Sequence, residues 1–163
     1  MSLKWMDFAS SLIGTDEDTR PGKSNNVIVN WAKKSGGWIA SFYKSDDIPW
    51  CGLFVGYVMK SVGIDPELKN PLGALEWMKF GKPTTPRYGA IMCFSRTGGG
   101  HVGFYVSEDD NYYHILGGNQ SNTVSVTKLS KDRFRGARWP ENDNTVTNQI
   151  RKKFDGSISV NEK

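Results

Sequence analysis

A chain of 163 residues, 37% apolar and holding six Trp, six Tyr and eight Phe, is long enough for one packed core and is expected to form one domain. Its formal charge of +4 suits solubility or an anionic polymer partner such as cell wall, but Lys and Arg are scattered rather than gathered into the basic stripe of a nucleic-acid binder. Two cysteines, two histidines and no CxxC exclude a disulfide framework and a zinc cluster, so no metal and no cofactor is expected.

The opening residues, Met1 to Asp7, hold no uninterrupted apolar run, and no stretch approaches membrane-spanning length. The expectation is a protein made in a cytoplasm without a secretion signal, with no membrane insertion. A target outside the cell would then need separate delivery.

Residues 2–13 predict a first helix, with Leu3, Trp5, Met6, Phe8, Ala9, Leu12 and Ile13 forming a broad apolar face and Gly14 ending it. Thr15 to Lys23 reads as a polar loop. Asp16 and Asp18 hint at a calcium loop, but Arg20 stands at the next ligand position. Gly22-Lys23-Ser24 resembles the end of a phosphate loop, but Glu17 stands where the earlier glycine belongs. Ser24 or Asn25 caps a second helix with Val27, Ile28 and Trp31 inward, and Gly36-Gly37 breaks it. Trp38 to Lys44 is an aromatic connection.

The next stretch, Asp46-Asp47-Ile48-Pro49-Trp50-Cys51-Gly52-Leu53-Phe54-Val55, organises the chain. Asp47 or Asp46 suits a helix cap and Pro49 an early helical position. Val55, Val58, Met59 and Val62 follow on one helical face, with Cys51 at its N-terminal end, and Gly63 and Pro66 stop the helix. A thiol there feels the positive end of the helix dipole, which favours thiolate, the nucleophilic form. A fourth helix is predicted over 72–80, carrying Leu75, Trp77, Met78 and Phe80, with Gly81 and Pro83 closing the helical half.

The texture then changes. Strands are predicted over 90–94, 101–106, 112–116, 123–127 and 134–139, separated by short turns, with Gly117-Gly118 bending the chain after the third. Short turns imply antiparallel pairing, and helices first with strands second make an α+β fold. Residues 1–140 form the domain, and 141–163 read as a mobile polar tail with room for a short helix.

Gly98-x-Gly100-x-x-Gly103 has dinucleotide-motif spacing, but it leads into β-branched and aromatic residues rather than a helix. These glycines are instead expected to let a substrate backbone approach His101. Either histidine can pair with Cys51. His101 is favoured by its glycine flank and strand start, while His114 lies among tyrosines inside a strand. Asn119, beyond the glycine bend, is placed to orient His101. A thiolate, an imidazole and a polar residue that sets its tautomer follow triad logic on a cysteine nucleophile.

Trp50-Cys51-Gly52-Leu53-Phe54-Val55, Gly100-His101-Val102-Gly103-Phe104, Leu116-Gly117-Gly118-Asn119-Gln120 and Arg138-Trp139-Pro140, in this order, resemble the CHAP and NlpC/P60 superfamily. The branch most like it occurs in phage lysins and bacterial wall hydrolases. The resemblance implies a papain-like α+β fold and hydrolysis of a peptidoglycan amide, with catalytic Cys51, His101 and Asn119. Many members carry a Glu two residues before the Asn, where this chain has Gly117, and Gln120 is the alternative to Asn119. Trp50, Gly100 and Gln120 are expected at the substrate, and Asp46 or Asp47 is either a cap or a receiver for a diamino-acid amine. Peptidoglycan is the expected partner of a monomer released by a holin or injected. Endopeptidase is placed ahead of N-acetylmuramoyl-L-alanine amidase on the resemblance alone. An injected amidase effector and a non-catalytic wall-binding or phage structural module are the alternatives.

Overall fold

The computed structural model describes residues 3–18, 20, 24–35, 39 and 50–159. Among the described residues, the helices α1 (Lys4–Ser11), α2 (Asn26–Ser35) and α3 (Cys51–Ser61) precede a six-stranded sheet. Its strands are β1 (Lys82–Thr84), β2 (Ile91–Arg96), β3 (Gly99–Glu108), β4 (Tyr112–Gln120), β5 (Thr123–Ser130) and β6 (Phe134–Trp139), in spatial order β1-β6-β2-β3-β4-β5. Every paired neighbour is antiparallel. The helices-then-sheet order matches the α+β expectation.

Helix α3 is the centre of the core. It packs on β3 and β4 and also meets α1 and α2. Cys51, Gly52, Leu53, Phe54, Val55, Gly56, Val58 and Met59 are all buried, so this helix is covered nearly all round rather than on one face. Its end is the one the sequence implies. Gly63, at φ +84°, follows the last turn. Its N–H donates to Lys60 O and that of Ile64 to Met59 O, which closes a Schellman motif.

α1 begins and ends inside the predicted 2–13 span and buries Trp5, Met6 and Ala9. The Trp5 indole donates to Gly89 O at 2.9 Å, and its ring meets Trp139 edge-on at 5.3 Å. Asn25 caps α2, its Oδ1 accepting the Val27 N–H at 2.8 Å. α2 buries Ile28, Trp31 and Ala32, whereas Val27, expected inward, is 51% exposed.

Several expectations are corrected. The fourth helix is a 3-10 helix over Ala74–Lys79 that buries Ala74 and Trp77, three apart, with Phe80 buried just past its end. The helical half does close before Lys82, and Pro83 lies in β1, an edge strand of the sheet. β4 runs through Gly117-Gly118 to Gln120, with a register shift between Gly117 and Gln120.

The tail departs furthest from the reading, since no helix is found in its described part. It is an extended strap. Glu108 N–H donates to Ile150 O and Lys152 N–H to Glu108 O, each within 2.9 Å. Lys128 N–H donates to Ser157 O and Ser159 N–H to Lys128 O, both at 2.9 Å. The strap therefore runs from the end of β3 to the outer strand β5, where it covers backbone groups of a sheet edge. Its polar composition hid this, because main-chain bonds and ion pairs hold it more than apolar burial does.

Candidate active site

Cys51 is the first residue of α3 and 4% exposed. Trp50 occupies the cap position at φ −125°, ψ 18°, without a side-chain cap bond, whereas the capping expectation named Asp47 or Asp46. Those two aspartates lie outside the described residues. The first-turn N–H groups of a helix have no acceptor within it, so the start of α3 presents positive charge beside the thiol.

Trp50 was expected to touch substrate, but its ring is fully buried. It packs edge-on to Trp31 at 6.1 Å, and its indole N–H donates to Glu17 Oε1 at 3.1 Å. Glu17 in turn donates its backbone N–H to Asn122 O in the β4–β5 turn at 2.7 Å. Sequence reading missed this residue, whose contact spans 33 positions and follows no local pattern. Gly100, also expected at the substrate, is buried under the 3-10 helix, where a Cβ would lie 2.6 Å from Leu75 Cγ. Gly103 likewise clears Ile115. These glycines make room for the protein's own side chains.

His101 lies in β3 and is fully buried. The side chain on its Nε2 belongs to Gln120, whose Oε1 sits 2.9 Å away. The Gln120 amide donates to Ile115 O at 3.0 Å and Ser125 O at 2.8 Å. Being fully buried, Gln120 is placed to hold the imidazole rather than to meet substrate. Asn119, expected to orient His101, is 1% exposed, and among the described residues neither Nδ2 nor Oδ1 has a hydrogen-bond partner.

A bulge explains the exchange. Gly117 pairs with Ser125, and the next pair is Gln120 with Thr123, so β4 spends one more residue than β5. Asn119 absorbs it at φ +59°, a left-handed conformation that Asn tolerates better than most residues. Strict alternation would put residues 117 and 119 on one face. The bulge puts 117 and 120 there instead.

The Gly117-Gly118 pair has the start of α3 against one residue and the imidazole against the other. A Cβ on Gly118 would lie 2.7 Å from Phe54 Cβ and 2.9 Å from the Trp50 ring. One on Gly117 would lie 3.2 Å from His101 Nε2. The helix start carrying Cys51 and the imidazole thus both press on these two residues.

The other cysteine and histidine are occupied elsewhere. Cys93 is buried in β2 with its thiol 3.9 Å from Ala74 O. Burial, reinforced by the nearby Cys51, pushes its pKa up to about 12. His114 Nδ1 lies 2.6 Å from Ser107 Oγ and Nε2 lies 2.9 Å from Asp109 Oδ2. Phe154 of the strap roofs that ring at 5.1 Å. Asp18, half of the calcium hint, is bound by Arg20 at 2.6 Å. Among the described residues no group of three or more His, Cys, Asp or Glu is arranged to hold a metal. No helix there is long and apolar enough to cross a membrane.

No curated protein matches the chain. The stretch that supplies Cys51, His101 and Asn119, residues 43–119, matches the family model of the CHAP domain.

Proposed function

We propose that the chain is a peptidoglycan hydrolase that cleaves an amide of the stem peptide through a cysteine thiolate. One observation carries the reading: a CHAP segment in which the helix start bearing Cys51 and the His101 ring converge on Gly117-Gly118. In this mechanism His101 takes the thiol proton and the Cys51 sulfur attacks the amide carbonyl, forming a C–S bond. First-turn N–H groups of α3 face the developing oxyanion. The imidazolium then gives its proton to the departing amine as the C–N bond breaks, leaving a thioester. Water, deprotonated by His101, releases the carboxylic acid and restores the thiol.

A thiol–imidazole pair suits acyl transfer, whereas glycoside cleavage ordinarily uses two carboxylates across the bond. Digestion of purified peptidoglycan is therefore expected to release free amino groups without new reducing sugar ends. Mass spectrometry of the fragments identifies the bond. A new amine on a residue inside the stem peptide marks an endopeptidase, which the resemblance places first, and one on the L-alanine beside the lactyl group marks an amidase. Release of reducing ends without amines overturns the thiol mechanism, as does full activity in Cys51→Ala. The biological setting that fits is lysis or wall remodelling by an endolysin-like enzyme delivered by a holin or an injection device. Lysis by the chain expressed in a bacterial host only together with a holin would support that setting.

A further inference from the structure

We infer that Gln120 is the positioning residue of His101: it decides which ring nitrogen is basic, and Gly117 lacks a side chain to make room for it. The catalytic consequence rests on the thiol mechanism proposed above. The tautomer does not.

The argument starts from donors and acceptors. Gln120 Nε2 faces two carbonyl oxygens, those of Ile115 and Ser125, and each must receive a hydrogen. Flipping the amide would set an oxygen against both of them. Oε1 is therefore the atom 2.9 Å from the imidazole, and a carbonyl oxygen only accepts. His101 Nε2 must carry the hydrogen, so in the neutral ring the lone pair lies on Nδ1. The proton leaving the Cys51 sulfur then goes to Nδ1. The S–H bond breaks, an Nδ1–H bond forms, and the Nε2–H stays on Gln120 throughout.

Gly117 completes the device. It is not in the left-handed region, so its backbone does not require glycine. What requires it is space. A Cβ would lie 2.6 Å from Gln120 Oε1 and 3.1 Å from its Cδ. The residue one position past the matched CHAP segment thus fills the volume that a side chain at 117 would take. A carboxylate is a poor substitute for this amide, because it would face the Ile115 and Ser125 carbonyls with no hydrogen to offer.

The test is imidazole nitrogen NMR on the full chain, above the pH at which the ring titrates. With only two histidines, the His101 signals are identified by their loss in His101→Ala. The wild type is expected to show a single Nε2–H tautomer. Gly117→Ala leaves every group of the network in place but displaces Oε1. It and Gln120→Ala are expected to lose that single tautomer. Their kcat on purified peptidoglycan is expected to fall about 10- to 100-fold, at a KM unchanged within about twofold. Gln120→Glu is expected not to restore either property. An Nδ1–H tautomer in the wild type overturns the inference and needs no variant to fold. So does a Gln120→Ala protein that keeps both the Nε2–H tautomer and wild-type kcat. Activity that survives Cys51→Ala removes the thiol mechanism instead, and the wild-type tautomer still decides the role of Gln120.

Discussion

Gly118→Ala probes how firmly the start of α3 is held against β4. The added carbon would lie 2.7 Å from Phe54 Cβ and 2.9 Å from two atoms of the Trp50 ring. Ordinary carbon contacts are about 3.5–4.0 Å, so roughly 1 Å of movement is needed. Trp50 cannot supply it by turning, because its indole is tied to Glu17 and its ring is packed against Trp31. The first turn of α3 must lift, and Cys51 lifts with it. Overpacking of this kind costs about 1–3 kcal/mol. A displacement of about 1 Å at the reacting groups lowers turnover by up to about 100-fold. Gly56→Ala, in the same helix, is the control. Its nearest neighbours would be Trp77 Cζ2 at 3.6 Å and Pro71 Cβ at 3.9 Å, ordinary contacts. Replacing a mid-helix glycine there is expected to stabilise the protein by up to ~1 kcal/mol with activity kept. Thermal unfolding and the initial rate of amine release from purified peptidoglycan measure both variants. Gly118→Ala with wild-type melting and wild-type rate would refute the claim that this contact places the thiol.

Iodoacetamide at pH 8 is expected to give one adduct, on Cys51: with its pKa near 12, Cys93 is about one part in ten thousand thiolate at that pH, and peptide mapping showing Cys93 labelled first would reverse the assignment. His114→Ala is expected to cost about 1–3 kcal/mol, because Ser107 and Asp109 lose their partner, yet to keep most of the activity that His101→Ala abolishes; the opposite pattern in kcat would make His114 the base. Acid is expected to loosen the strap. Burial alone would push the Glu108 carboxyl up, but Lys131, the Tyr105 hydroxyl and Arg151 outweigh it and hold the pKa below the ordinary glutamate range. The stability this group contributes is therefore fully present above about pH 4.3 and is lost as pH falls through the lower folded value. Hydrogen exchange at Glu108 and Lys152 should quicken in that window before exchange in α3 does, and uniform protection down to about pH 3 would show that the carboxylate does not anchor the strap.

The parts of this protein legible in the sequence are those governed by neighbours along the chain. The stop of α3 follows from an apolar run ended by Gly63, and the Schellman bonds bear that out. The positions of five strands follow from β-branched and aromatic runs between turn residues, and the antiparallel sheet follows from the shortness of those turns. The thiol at a helix start is likewise a local fact.

Tertiary structure decided whatever depends on register or on distant partners. One extra residue in β4 at Asn119 moved Gln120 onto the face of His101, and alternation along a single strand cannot foresee a bulge that exists only against β5. Gly100 appears in sequence as freedom for a substrate and Gly117 as a bend, but the space they leave is filled by Leu75 and Gln120. Trp50 belongs to the core because Glu17 receives its indole N–H from across the fold. The strap is mostly polar, and of its apolar residues Val146, Ile150 and Ile158 stay exposed, so burial does not mark it. Its order comes from backbone groups that β3 and β5 leave open and from the charges gathered at Glu108, and those partners exist only once the sheet has formed.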